Sequence, residues 1–134
     1  MTILCVIQYT ASEVSKMSEH EQLQSFITEL RRGSLMLAVL ACLKKSFYGY
    51  SLLQELQDKG MEIEANTLYP LLRRLETQGL LTSSWDTTES RPRKYYTISE
   101  KGNLVFESLL SEWDKLSNII VLLSERGEEN EKSN

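Results

Sequence analysis

The chain has 134 residues, of which 41% are hydrophobic and 25% charged, and this size and composition are typical of one globular domain. No apolar run approaches the roughly 18 residues of a membrane-spanning helix, and the apolar start from Met1 to Gln8 lacks the basic residues and cleavage site of a signal peptide. The net charge of −4 argues against a uniformly basic nucleic-acid binder. We therefore expect a cytoplasmic protein that does not enter membranes.

The first elements predicted along the chain are helices, preceded by an extension. Residues 1–18 show no sustained periodicity, and we expect them to be disordered. From Glu19 to Arg32 apolar residues recur at helical spacing, and from Leu35 to Leu43 the chain is almost wholly apolar, which is typical of a buried helix. Gly33 and Ser34 either separate two helices or lie inside one long helix.

Two further amphipathic helices are predicted in the middle of the chain. The first runs from Gly49 to Lys59 and is ended by Gly60, and the second runs from Ala65 to Gln78 and is ended by Gly79. Pro70 lies within the second helix, and by itself it would kink that helix or make it start later.

A β-hairpin is predicted next. Leu80–Trp85 and Lys94–Ile98 have the composition of strands, the second being rich in aromatic and β-branched residues. The segment from Asp86 to Arg93 between them is polar and ends in Ser-Arg-Pro-Arg, which predicts a loop with a basic tip. Tyr95 and Tyr96 are neighbours on a strand, so we expect one in the core and the other at the surface.

A long last helix is predicted from Ser99–Gly102 to Ser124, followed by a disordered acidic tail over residues 125–134. Six of its apolar residues are spaced alternately three and four residues apart, as in the seam of a coiled coil. They are Phe106, Leu109, Trp113, Leu116, Ile120 and Leu123. Further apolar residues widen this face beyond what one small domain covers, which predicts a homodimer formed through this helix.

The order of these elements predicts a mainly α fold with a small β-hairpin: a winged helix-turn-helix domain over residues 19–102 and a C-terminal dimerisation helix over residues 103–124. Charge is unevenly distributed between these parts. From Asn66 to Gly102 basic residues exceed acidic ones by two, whereas from Asn103 to the end acidic residues exceed basic ones by four. The local excess of positive charge marks the middle of the chain as the place where a polyanion such as DNA could dock.

Three blocks of the sequence resemble the PadR family of transcriptional regulators, and the resemblance extends from about Leu30 to Leu123. The most specific block is Asn66–Leu81, which contains Thr-Leu-Tyr-Pro-Leu-Leu and ends Arg-Leu-Glu-Thr-Gln-Gly-Leu-Leu. Tyr48–Tyr50 and Arg91–Gly102 match the start of the family's second helix and its wing. The resemblance implies a homodimeric winged-helix repressor, similar to the small multidrug-responsive members, with a proline tolerated inside the recognition helix.

One position departs from the family pattern. Family members often have Ser, Asn or Asp as the N-cap of the recognition helix, whereas this chain has Glu64, which is a weaker cap.

The predicted DNA-binding residues lie in the recognition helix and at the wing, where polar and cationic side chains can reach base edges and phosphates. They are Asn66, Thr67, Tyr69, Arg73, Arg74, Arg91, Arg93 and Lys94. The alternative for Asn66 and Thr67 is that they only satisfy free amides of the first helical turn. The alternative for Arg73 and Arg74 is a solvated helix face.

Trp113 is the one large aromatic residue in an otherwise aliphatic stretch of the seam. It is either part of the dimer core or a platform on which a flat ligand stacks between subunits. Some PadR-like regulators of multidrug resistance carry a tryptophan at the matching place, and the resemblance therefore implies a planar aromatic effector.

Two other classes of function compete with a DNA-binding repressor. A winged-helix protein-interaction module without DNA binding is one, but such a module has no need for Arg91, Arg93 and Lys94 together. An enzyme is the other, and the chain shows no phosphate-binding glycine loop and no nucleophile paired with a histidine. Its two cysteines and His20 lack the spacing of a zinc site. We therefore predict no catalytic residues, no metal and no cofactor.

Overall fold

The computed structural model describes the backbone of residues 18–132 and the side chains of residues 18–125. It divides into two compact units, one ending at Ala38 and the other beginning at Val39. The extension predicted over residues 1–18 lies outside the described residues except for Ser18.

The first unit contains helix α1, Glu19–Arg32, and the beginning of α2, Leu35–Cys42. The Ser18 hydroxyl caps α1 by accepting a hydrogen bond from the Glu21 amide at 3.2 Å, as expected of an N-cap serine. The chain between the two helices is a turn, in which the amide and the hydroxyl of Ser34 both donate to the Arg31 carbonyl, at 3.0 and 2.8 Å. Gly33 and Ser34 therefore separate two helices.

The second unit is built on α2 from Val39 onward, on α3, Gly49–Asp58, and on α4, Ala65–Thr77. Each helix buries an apolar stripe, and the innermost side chains have less than 2% of their surface exposed. These are Val39, Leu40, Leu43, Leu52, Leu56, Leu68, Leu72 and Leu75. Pro70 lies inside α4 on its exposed side, and the helix is unbroken around it. The structure therefore agrees with the resemblance, which implied one whole helix.

The sheet has three antiparallel strands in the order β1-β3-β2. Strands β2, Leu81–Asp86, and β3, Arg93–Ile98, form the predicted hairpin, in register from Leu81 opposite Ile98 to Asp86 opposite Arg93. Strand β1, Phe47–Tyr48, was not predicted, because two residues directly before a helix carry no recognisable alternation. Tyr96 on β3 is buried and Tyr95 is half-buried, as the alternation of strand side chains predicts.

The last helix, α5, runs over Glu100–Lys132, so its predicted end near Ser124 was wrong. The segment beyond Ser124 is polar but rich in Glu, Arg and Lys, which have high helix propensity. Because extending an existing helix requires much less free energy than starting a new one, α5 continues through these residues. Despite this length, no helix among residues 18–132 combines the length and apolar content needed to cross a membrane.

The base of α5 is held closely against the hairpin. The Ser99 hydroxyl donates to the Gly79 carbonyl at 2.6 Å and accepts from the Gly102 amide at 3.0 Å. Gly102 is buried there, and a Cβ added to it would overlap the Leu80 carbonyl oxygen and lie 2.7 Å from a side-chain carbon of Ile98. Only glycine allows the helix and the strand to approach this closely.

We expect Gly102→Ala to lower the free energy of unfolding by about 1–3 kcal/mol, because overpacking outweighs the better helix propensity of alanine. The matched control is Gly33→Ala, since Gly33 has φ −69° and no heavy atom within 4 Å of an added Cβ. Urea unfolding at one fixed protein concentration compares the two variants with the parent protein. Equal midpoints for the two variants would contradict the close approach.

Candidate nucleic-acid interface

Helix α4, the recognition helix, presents a polar face because its leucines point the other way. Leu68, Leu72 and Leu75 are spaced four and three residues apart and are all fully buried. The opposite side carries the residues that the sequence predicted for DNA contact, and all of them are exposed. They are Asn66, Thr67, Tyr69, Arg73 and Arg74.

The first turn of the recognition helix is capped only by backbone. Glu64 is the N-cap with an extended backbone, and its side chain makes no capping hydrogen bond, as its weak capping propensity suggested. Its carbonyl accepts from the amides of Thr67 and Leu68, both at 3.0 Å. Within the described residues the side chains of Asn66 and Thr67 hydrogen-bond no protein group. The capping alternative for these two side chains therefore has no support, and they are free to meet a ligand.

Tyr69 lies against the start of α3, and Gly49 makes this possible. A Cβ added to Gly49 would lie 2.5 Å from a ring carbon of Tyr69, a distance at which the ring must move. Gly49 is buried and is the first residue of α3. The Tyr-Gly-Tyr block at residues 48–50 thus has a structural explanation: its glycine leaves room for the Tyr69 ring on the recognition helix.

The wing, which we define as β2, β3 and the loop between them, carries cations that differ in whether they have a partner. Arg91 in the loop is exposed and has no ion-pair or hydrogen-bond partner in the described part of the chain. Arg93 lies 3.5 Å from the Glu89 carboxylate, and its guanidinium lies 4.8 Å from the centre of the Tyr48 ring. The Glu89 charge, together with Tyr48, raises the pKa of Arg93.

Lys94 points toward the recognition helix, and its predicted role in DNA contact stays a prediction. Its ammonium lies 2.9 Å from the Glu76 carboxylate on the recognition helix and 5.1 Å from the centre of the Tyr96 ring. Adjacent side chains of a strand alternate in direction, so Arg93 reaches Tyr48 whereas Lys94 reaches Glu76. The hydrogen bond to Glu76 raises the pKa of Lys94.

An open groove of about 620 Å³ lies between the recognition helix and the wing. Aromatic and cationic side chains line it, from α3, α4 and the hairpin. They are Tyr48, Tyr50, Tyr69, Trp85, Arg91, Pro92, Arg93, Lys94 and Tyr96. Tyr48, Tyr50 and Trp85 were not predicted as site residues. Trp85 could have been found, because it is a large aromatic residue among small polar ones in the strand before a basic loop.

Comparison with known proteins agrees with this geometry. Residues 36–108 match the model of the "Transcriptional regulator PadR-like family". The chain belongs to this family. A transcriptional regulator of Mycobacterium tuberculosis is 35% identical over 75 residues, which cover 55% of this chain and 70% of that protein.

Solved structures of PadR-like regulators show the same fold. A regulator from Eggerthella lenta superposes with a TM-score of 0.76 at 46% identity, covering 78% of this chain and 93% of the other. A PadR-like transcription factor from Bacteroides fragilis gives a TM-score of 0.61 at 31% identity, covering 71% and 94%. The chain is therefore a winged-helix transcriptional regulator of the PadR-like family, and DNA binding is a trait of that family.

The last helix of this PadR-like regulator exposes most of its predicted seam. Trp113 is 47% exposed, and Leu116, Ile120 and Leu123 are each more than half exposed. Phe106 differs, because it is only 6% exposed and the Lys44 ammonium lies 4.4 Å from the centre of its ring. Phe106 is buried in the core of the protomer, and its place in the dimer seam stays a prediction.

We expect Arg91→Ala to weaken binding to every DNA duplex and to flatten the dependence of log affinity on log salt. Each phosphate contact that is lost should lower this slope by about 0.9. Fluorescence anisotropy with one duplex at several salt concentrations measures both effects. An unchanged slope would mean that the wing tip does not touch the DNA backbone.

Proposed function

We propose that this regulator is a homodimeric repressor that binds a palindromic operator and is released by a planar aromatic molecule. The observation that supports DNA contact most strongly is the exposed polar face of the recognition helix beside Arg91 of the wing, which is exposed and has no partner among the described residues. Repression is implied by the resemblance in sequence to the multidrug-responsive members of the family.

In this proposal the recognition helix enters the major groove, where Asn66, Thr67 and Tyr69 meet base edges. Arg73 and Arg74 lie farther along the same helix and supply phosphate contacts with Arg91. Arg93 can join them if the backbone phosphate competes with Glu89, which is an exposed partner at 3.5 Å. Exposed ion pairs of this kind are weak.

Selection of genomic fragments with the purified protein, followed by footprinting, tests the operator. A symmetric dimer should protect two half-sites about 10 base pairs apart, or a multiple of that spacing. Protection of one unpaired half-site would contradict the palindrome. A failure to enrich any fragment would favour the alternative of a protein-interaction module.

Dimerisation through α5 is proposed because this helix carries apolar side chains that the protomer does not bury. Besides Trp113, Leu116, Ile120 and Leu123, several of their neighbours are at least 44% exposed; these are Leu110, Ile119, Val121 and Leu122. So many exposed apolar side chains on one helix are unfavourable in water and indicate a contact with another chain. An identical chain is the simplest partner.

We expect Leu116→Asp to give a monomer at micromolar concentration, because two carboxylates facing each other across an apolar seam cannot both be buried. Leu104→Asp is the matched control: Leu104 is 71% exposed on the same helix, but the helical repeat puts it on the side opposite Trp113. Sedimentation velocity distinguishes the two states. A Leu116→Asp protein that stays dimeric would contradict the proposed seam.

Trp113 is the proposed effector platform. A flat ligand that inserts between two tryptophans gains about 0.5–1.5 kcal/mol per aromatic pair beyond the burial of its surface. The excess of negative charge from Asn103 onward favours cationic ligands. The ligand releases DNA only if it binds better to a dimer whose recognition helices are wrongly spaced for the operator.

We expect planar aromatic cations to quench tryptophan fluorescence in the parent protein with a saturable affinity that Trp113→Ala abolishes. Trp85 remains in this variant and reports ligand binding near the wing, where it is 64% exposed. Equal quenching and equal affinity in the two proteins would leave Trp113 as a residue of the dimer core only.

A further inference from the structure

Glu76 connects the recognition helix to both strands of the wing. One carboxylate oxygen accepts a hydrogen bond from the Lys94 ammonium of β3 at 2.9 Å. The other oxygen accepts from the hydroxyl of Ser83 on β2. These two hydrogen bonds hold the pKa of Glu76 below its ordinary value, and the bond from Ser83 has the larger effect. The carboxylate is therefore charged at neutral pH and available to both donors.

These hydrogen bonds lie farther along the hairpin than the side-chain hydrogen bonds at its base. At its base, the Ser99 hydroxyl and the Lys101 ammonium donate to the carbonyls of Gly79 and Gln78. These two bonds fix the turn after the recognition helix. In the register of β2 and β3, Ser83 lies opposite Tyr96 and Lys94 lies opposite Trp85. Glu76 therefore contacts the hairpin between its base and its tip.

The charge of Glu76 has the wrong sign for direct DNA contact. A carboxylate close to a polyanion weakens binding unless another effect compensates. The side chains of Glu76 and Lys94 are each only 29% exposed, and partly buried pairs are screened by solvent less than surface pairs. Both observations point to a structural contribution of Glu76 to the interface.

We propose that Glu76 is a positioning residue of the DNA-binding surface, which holds the wing against the recognition helix by bridging Ser83 and Lys94. Arg91 then reaches the backbone while the recognition helix lies in the major groove. This inference rests on the DNA-binding role proposed above. It also gives Lys94 a function: its positive charge holds the wing in place and does not neutralise phosphate.

Glu89 provides a matched control, because it is a second carboxylate that contacts a cationic residue of the wing. Within the described residues it pairs only with Arg93, at 3.5 Å, and its side chain is 67% exposed. Removal of either carboxylate takes one negative charge from this region. Electrostatics alone therefore predicts tighter DNA binding for both variants, whereas the proposal predicts opposite effects.

The test compares Glu76→Ala and Glu89→Ala on a duplex recovered by the genomic selection, at one salt concentration. We expect Glu89→Ala to bind about two- to fivefold tighter and Glu76→Ala to bind about three- to tenfold weaker. Equal or tighter binding by Glu76→Ala would overturn the proposal. If this variant does not fold, Glu76→Gln replaces it with the same expected direction, because it lacks the charge that holds Lys94.

Hydrogen exchange of the free protein tests the positioning without DNA. Amides of β2 and β3 should exchange faster in Glu76→Ala and at the parent rate in Glu89→Ala. Unchanged exchange in both variants would refute the bridge. If the parent protein binds no duplex but the exchange result holds, the DNA-binding proposal fails and the bridge stands.

A charge swap completes the test. Glu76→Lys adds positive charge to the surface and should nevertheless weaken binding, because Lys94 is then repelled. The double variant Glu76→Lys with Lys94→Glu restores an ion pair at the same place and should recover at least part of the affinity. Tighter binding by Glu76→Lys alone would show that charge, and not position, determines the effect of residue 76.

Discussion

The proposed DNA-binding surface depends on the burial of one edge of the recognition helix. Leu68, Leu72 and Leu75 are fully buried, and burial of a leucine side chain contributes roughly 1.5–3 kcal/mol. Three such side chains on one edge fix the rotation of the helix about its axis, so the opposite face must point to solvent. The same packing allows Pro70 inside the helix, because tertiary contacts outweigh the loss of one backbone hydrogen bond.

Other parts of the surface are positioned relative to this helix. Gly49 leaves room for the Tyr69 ring, which sets α3 beside the recognition helix. Glu76 reaches the wing from the opposite end of the helix through Ser83 and Lys94. A change in the rotation of α4 would therefore disturb the proposed base contacts and the proposed backbone contacts together.

Much of this fold could be predicted from the sequence, because α3 and α4 carry strong apolar periodicity. Each of these helices is followed within two residues by a glycine with positive φ, Gly60 or Gly79. The two-residue strand β1 could not be predicted, since its pairing with β3 is a tertiary contact. The contacts of Lys94 and Phe106 within the protomer could not be predicted for a similar reason: composition indicates a basic tip and spacing indicates a seam, but neither shows which residue is the nearest partner. The predicted end of α5 near Ser124 was wrong, because the composition of a polar helical segment is similar to that of a disordered tail.

If the exposed face of the recognition helix and the wing tip form one continuous DNA-binding surface, both must respond to the same bound duplex. Backbone amide chemical shifts, followed by NMR while the operator duplex is added to the protein, measure this response residue by residue. We expect the largest changes to fall together on Asn66, Thr67, Arg73 and the loop from Asp86 to Arg93, with one common affinity. Changes confined to α5, or different affinities for the helix and the loop, would contradict a single continuous surface.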